Sequence, residues 1–126
     1  MTWTVLLALV FAEASQAHHS TAPFDMTRET TVSGVVKEFR FVNPHSYIIL
    51  EVAGEPWTLE AEALNLLRRN GWTKDSLKPG DRISCSGARA RDPELHAMKC
   101  FTVVFPDGRK LIATPTGPSQ PPPNHP

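Results

Sequence analysis

The sequence has few of the features that usually indicate an enzyme or a nucleic-acid-binding protein. It has no glycine-rich phosphate loop, no G-x-S-x-G nucleophile motif and no carboxylate pair in a recognisable catalytic pattern. Its 13 Lys and Arg residues are balanced by 13 Asp and Glu residues, with the two signs interspersed along the chain. A nucleic-acid-binding domain usually concentrates basic residues on one face. We therefore expect neither an enzyme nor a nucleic-acid-binding protein.

Long apolar runs are also absent, and the most apolar stretch, Val5–Phe11, is too short to span a bilayer. It is followed by Ser15 and Ala17, small residues at positions −3 and −1 of a cut after Ala17, as in a signal peptide. A cut after Ala14 would satisfy the same rule. We expect residues 1–17 to be a cleaved signal peptide and the mature protein to be periplasmic or secreted, without a membrane span.

Cysteine is scarce, since Cys85 and Cys100 are the only two. Both lie on the apolar phases of two predicted strands that form a hairpin. If the hairpin turns between Asp92 and Pro93, the two cysteines oppose each other directly, with Cα atoms about 4.5–5.5 Å apart, inside the range for a disulfide. In an oxidising compartment we expect a bridge that adds about 2–3 kcal/mol of stability. Two buried free thiols are the alternative.

The hydrophobic pattern predicts a mainly β domain with one short helix. In the first strand the apolar phase shifts after Val36, which predicts a bulge near Lys37 or Glu38. Gly71 is predicted to end the helix. The predicted elements are strands over 30–41, 45–52 and 57–62, a helix over 62–72, strands over 82–90 and 97–105, and a last short strand over 110–113.

The order β-β-β-α-β-β is that of a small OB-like five-stranded barrel in which the helix closes one end, although other small β-barrels fit it too. The last thirteen residues contain six prolines and almost nothing apolar to bury, so we expect a disordered tail. The expected organisation is a signal peptide (1–17), an N-terminal arm (18–28), an OB-like barrel domain (29–113) and a Pro-rich tail (114–126).

Three histidines, His18, His19 and His45, carry the main functional hypothesis. A cut after Ala17 leaves His18 at the N-terminus, where its α-amine and Nδ1 together chelate a metal ion. A third nitrogen from His19 or His45 would complete a site suited to Cu(II), whereas zinc would need a further ligand. The alternative is a polar N-terminus and a turn histidine without a ligand. The site also requires residues 18–28 to fold back along the first strand. A His45 that points into the barrel, or that lies more than about 10 Å from His18 and His19, would exclude it.

A second hypothesis is an OB-like binding module for a peptide, glycan or small ligand, with no metal. Tyr47 and Trp57 are the candidate ligand-binding aromatics, and core packing is the alternative for both.

Four motifs in order resemble a known family: AHHSTAPFD, NPHSYI, LLRRNGWTKDSLKPGD and FPDGRKL. Together they are similar to the small exported bacterial proteins of the DUF6152 family, whose function is unknown, over Ala17 to Ile112. The resemblance implies a periplasmic location and no established activity. It matches His18, His19 and His45 to the histidine motifs of the family, and Trp72 to its tryptophan, which becomes a third candidate ligand-binding residue. Asn70 departs from the L-L-R-R-G-W pattern of the family.

Overall fold

Residues 23–116 are described by the computed structural model of the chain. Within them lie six strands and one helix: β1 (Phe24–Arg40), β2 (Tyr47–Val52), β3 (Glu55–Glu60), α1 (Leu64–Arg69), β4 (Arg82–Ala90), β5 (Ala97–Val104) and β6 (Lys110–Ile112). The predicted signal peptide, both N-terminal histidines and residues 117–126 of the predicted tail lie outside the described residues.

The long first strand β1 serves two neighbours. Its N-terminal part pairs with β4 and its C-terminal part with β2, both antiparallel. The register with β2 shifts between Val36 and Glu38, which confirms the bulge predicted from the change of apolar phase. At Gly34 the strands approach so closely that a Cβ atom would clash with the carbonyl oxygen of Glu51. The bulge and the glycine let one strand bend around the barrel.

The sheet closes through a parallel pairing of β3 with β5, in which Thr58 pairs with Ala97 and Glu60 with Lys99. We call this pairing the β3–β5 seam. The other barrel neighbours are antiparallel, in the order β3-β2-β1-β4-β5, and β6 adds a short strand beside β5. The prediction of a mainly β, OB-like five-stranded barrel with one short helix is confirmed.

The core fills the barrel interior with side chains that alternate along each strand. A fully buried Leu or Ile side chain contributes about 1.5–3 kcal/mol through burial. Leaving aside alanines and the two cysteines, seven apolar side chains on four barrel strands and the helix are 0% exposed: Val36, Ile48, Leu50, Leu59, Leu67, Met98 and Val103. Leu67 is the helical residue among them. The helix α1, which follows β3 and precedes β4 in the chain, therefore packs against the core.

The strand β1 begins at Phe24, earlier than the sequence predicted. Phe24 is buried and packs with Ala88 and Phe101 on the outside of the barrel, while the backbone carbonyl of Pro23 accepts a hydrogen bond from the Arg91 amide at 2.8 Å. Residues 24–28 of the predicted N-terminal arm are therefore part of the strand. The polar sequence after Phe24 concealed this, since its side chains face solvent.

The helix α1 is shorter than the predicted 62–72. Ala63 at its N-cap has no side-chain cap, and the Leu64 amide instead donates to Asn43 Oδ1 at 3.0 Å. The C-terminal end follows the prediction, because Gly71 has a left-handed φ of 85° and the Trp72 amide donates to the Leu67 carbonyl. Within residues 23–116, no helix has the length and apolar character needed to cross a membrane.

The predicted disulfide between Cys85 and Cys100 is confirmed, but the predicted register was wrong. Cys85 pairs with Val103 and Cys100 with Gly87, and the register shifts between Ser86 and Gly87. The hairpin turns one residue later than expected, and the irregularity makes the cysteines diagonal neighbours with Cα atoms 6.1 Å apart. This separation is still within the range for a disulfide.

Candidate functional site

The turn between β1 and β2, residues 42–46, is held by its own side chains. Ser46 is 0% exposed, and its hydroxyl both accepts a hydrogen bond from the Val42 amide and donates one to the Val42 carbonyl, each at 3.1 Å. Asn43 reaches across the turn to the Leu64 amide at the start of α1. The sequence N-P-H-S therefore forms an ordered turn because its polar side chains replace missing backbone partners.

Backbone hydrogen bonds also fasten this turn to the segment that follows β3. The Ser46 amide donates to the Glu62 carbonyl at 3.2 Å, and the Ala61 amide donates to the Ser46 carbonyl at 2.8 Å. His45 directly precedes Ser46, so these two backbone hydrogen bonds also limit the movement of His45. Ser46 points inward, and the partly exposed His45 lies on the outside of the barrel, so the first of the two conditions that would exclude a metal site is not met. The second, the distance from His45 to His18 and His19, involves residues outside the described part of the chain.

Four ionisable side chains meet on the outer face of the β3–β5 seam, and we call His45, Glu60, Glu62 and Lys99 the charged cluster. His45 Nδ1 lies 3.1 Å from Glu60 Oε1. Lys99 Nζ lies 3.7 Å from the same oxygen and 3.5 Å from Glu62 Oε1. The exposed fractions of the side chains are 26% for His45, 14% for Glu60, 19% for Glu62 and 0% for Lys99.

Strand pairing explains why these residues meet. Glu60 and Lys99 are paired across the parallel seam. Their neighbours in sequence, Leu59 and Met98, point into the core, so both charged side chains point outward. Glu62 follows on the same side of the chain as Glu60, because Ala61 between them is in the core.

The Lys99 ammonium has no hydrogen-bond partner among the described residues, although it is fully buried. Its contacts with Glu60 and Glu62 are ion pairs at distances longer than a hydrogen bond. A buried charge is costly unless paired, so the two carboxylates are what make a lysine tolerable at this position. The cluster contains two carboxylates and one ammonium, and its net charge is therefore negative when His45 is neutral.

The contact with Glu60 also bears on the tautomer of His45. A carboxylate beside Nδ1 favours the proton on that nitrogen and leaves the lone pair of Nε2 for another partner. Among residues 23–116, no three His, Cys, Asp or Glu side chains come together in a way that could hold a metal ion. The charged cluster therefore contributes one imidazole nitrogen, that of His45, from residues 23–116, and His18 and His19 lie outside them.

Of the three candidate aromatics, two pack in the core. Trp57 is 8% exposed, with His96 stacked on it at 5.1 Å and the Arg89 guanidinium 4.8 Å from its ring centre. Trp72 is 1% exposed and donates its indole N–H to the Ile112 carbonyl at 2.8 Å. Tyr47 alone is half-buried on the outer face, paired with Glu60 across β2 and β3.

The sequence had suggested His45 but not its charged neighbours. No motif in the sequence points to Glu60, Glu62 or Lys99. The strand order could have indicated that these residues meet. In an OB-like barrel, outward-facing residues at the end of β3 lie next to outward-facing residues at the start of β5. The burial of Lys99 depends on non-local packing and has no local sequence signal.

The sequence matches one known protein family. The family model described as "Family of unknown function (DUF6152)" matches residues 6–99, three quarters of the chain. The chain belongs to this family. No curated protein and no solved structure matches it. The DUF6152 match includes all four members of the charged cluster and ends at Lys99.

Proposed function

We propose that this DUF6152 protein is an exported periplasmic protein that binds a metal ion, with Cu(II) better suited than zinc. The ligands would be His18 at a processed N-terminus, His19 and His45. The observation that carries the proposal is the 3.1 Å contact between His45 Nδ1 and Glu60 Oε1. Metal-binding histidines commonly have a carboxylate at one ring nitrogen, which fixes the ring and leaves the other nitrogen as the ligand.

The order of the 42–46 turn supports the same proposal. A ligand on a turn fastened by Ser46 and Asn43 loses little conformational entropy when it binds. His45 would then supply one preorganised nitrogen, and the N-terminal residues would supply the rest.

The length of the arm is compatible with the proposal. Because β1 begins at Phe24, His18 lies six positions before it, and the segment that joins them extends at most about 20 Å. A path over the barrel surface from Phe24 to Glu60 runs from β1 over β4 and β5 to β3. It crosses three strand spacings of about 4.8 Å each and then follows β3 for two residues. The reach of residues 18–23 is thus comparable with the length of this path. His18 does not need to reach along the whole length of β1 to approach the charged cluster.

The disulfide is compatible with the proposed location. Disulfides persist in oxidising compartments such as the periplasm and are rare in the reducing cytosol. The Cys85–Cys100 bridge therefore supports export, together with the predicted cleavage after Ala17.

The test is mass spectrometry of the exported protein followed by titration with Cu²⁺. We expect an N-terminal His18 and tight copper binding that weakens at least about tenfold in His45→Ala and by about tenfold in Glu60→Gln. His96→Ala is the matched control, since His96 stacks on Trp57 outside the charged cluster and should leave the affinity unchanged. A different N-terminus without tight copper uptake, or full affinity in a His18→Ala, His45→Ala double variant, would contradict the proposal.

The alternative of a metal-free OB-like binding module has less support. Two of its three candidate aromatics, Trp57 and Trp72, are used in the core. Tyr47 remains beside the charged cluster, so a ligand of that module would have to contact the cluster as well.

A further inference from the structure

We infer that Lys99 determines which metal ions this site accepts, by occupying the space between Glu60 and Glu62 that an oxygen-preferring divalent cation would need. The inference rests on the proposed function in one respect only, namely that the site is a metal site. It assigns to Lys99 the role of a specificity-determining residue that is not itself a ligand.

The position of the ammonium is the first support. Lys99 Nζ is 3.5 Å from Glu62 Oε1 and 3.7 Å from Glu60 Oε1, within ion-pair distance of both carboxylates. Its side chain is 0% exposed and makes no hydrogen bond among the described residues. Within residues 23–116, the ammonium therefore stands where two carboxylates attract a positive charge and where no hydrogen bond accounts for its position.

The chemistry of the carboxylates is the second support. Glu60 and Glu62 expose less than a fifth of their side chains, and without Lys99 they would form a partly desolvated pair of negative charges. Such a pair suits Mn²⁺ or Ca²⁺, which prefer carboxylate oxygens. With Lys99 present, its ammonium balances one of the two negative charges and repels a second cation at the same position.

Excluding carboxylate ligation leaves the imidazole of His45 as the donor. Imidazole nitrogen suits Cu(II) and zinc better than it suits Mn²⁺ or Ca²⁺. Lys99 would thus favour nitrogen-preferring metals by blocking the oxygen site, while Glu60 stays in contact with His45 Nδ1.

The experiment compares thermal melting of the full mature chain with and without millimolar MnCl2, for wild type, Lys99→Met and Lys99→Gln. Wild type should show no shift, and each Lys99 variant should gain at least about 5 °C in Tm. Lys37→Met is the matched control, because it also removes a lysine beside a glutamate, at a surface contact, and should gain nothing. A Glu62→Gln, Lys99→Met double variant should lose the gain.

The outcomes separate the inference from the proposed function. A wild-type protein stabilised by Mn²⁺, or Lys99 variants that gain no stability from it, overturns the inference even if Cu²⁺ binds. Wild type that takes up no Cu²⁺ overturns the proposed function and with it the selection of metal ions by Lys99, while a gain of Mn²⁺ binding in the variants would still support the narrower statement that Lys99 blocks a cation position at Glu60 and Glu62. Should both variants be unfolded without metal, refolding on addition of Mn²⁺ supports the inference and failure to refold overturns it.

Discussion

Two lysine–glutamate contacts on the outside of the barrel differ in what surrounds them. Lys37 and Glu51 join β1 to β2 with Nζ and Oε2 3.0 Å apart, and their side chains are 53% and 44% exposed. Lys99 is farther from its two glutamates but is fully buried beside them. Water screens the exposed contact between Lys37 and Glu51. The ammonium of Lys99 is out of reach of water, although it lies on the outer face of the barrel. Burial rather than distance therefore decides which lysine matters.

The largest expected loss of stability comes from removing Lys99, and removing Lys37 is its comparison. Lys99→Met should lower the free energy of unfolding by about 2–3 kcal/mol, because it leaves two partly buried carboxylates without a counter-charge. Lys37→Met should cost less than about 1 kcal/mol, as is usual for an exposed ion pair. Denaturant unfolding at pH 7, without divalent cations, measures both. A Glu60→Gln, Glu62→Gln, Lys99→Met triple variant should regain most of the loss, and equal losses in the two single variants would contradict the comparison.

A smaller effect is expected when the carboxylate is removed instead. Glu62→Gln leaves Lys99 paired with Glu60, so we expect a loss of about 1 kcal/mol in the same measurement. Glu51→Gln is the matched change at the exposed contact and should cost less than about half as much. The comparison would fail if Glu51→Gln were the more damaging of the two.

The smallest effect belongs to a third pair, in which Arg40 donates two hydrogen bonds to the Glu38 carboxylate at 2.9 and 3.1 Å. These bonds hold the pKa of Glu38 below its ordinary value of 4.5, so the stabilisation is present above that pH and is lost as pH falls through the folded pKa. Both side chains are exposed, and Glu38→Gln should lower Tm by less than about 2 °C at pH 7. Melting curves at pH 7 and pH 3 should converge at the lower pH, and a difference that grew in acid would contradict this.

The barrel followed from the sequence because its determinants are local. The shift of apolar phase at Val36 located the bulge, and Gly71 located the end of the helix. The start of β1 at Phe24 was missed because Phe24 packs against Ala88 and Phe101, which are distant in sequence. The cysteine register was missed for a similar reason, since one irregularity near Gly87 changes the pairing of the hairpin.

The site was less predictable than the fold. His45 stood out because of the N-P-H-S motif, and its place outside the barrel follows from the inward phase of Ser46. The burial of Lys99 could not be read from AMKCF, because exposure of an outward side chain depends on what covers it. Sequence patterns give the phase of a residue along a strand, whereas the environment of its charge comes from strands brought together by barrel closure.

The shared hydrogen bond between Asn43 and Leu64 links the stability of a turn to that of a helix. The six-residue helix α1 is too short to persist alone in water, and its N-cap residue offers no side-chain partner. Opening of the 42–46 turn would therefore release the first turn of α1 in the same event, as one unit of local unfolding. Hydrogen exchange at the Leu64 amide would report how often His45 leaves its position, without any probe attached to the histidine itself.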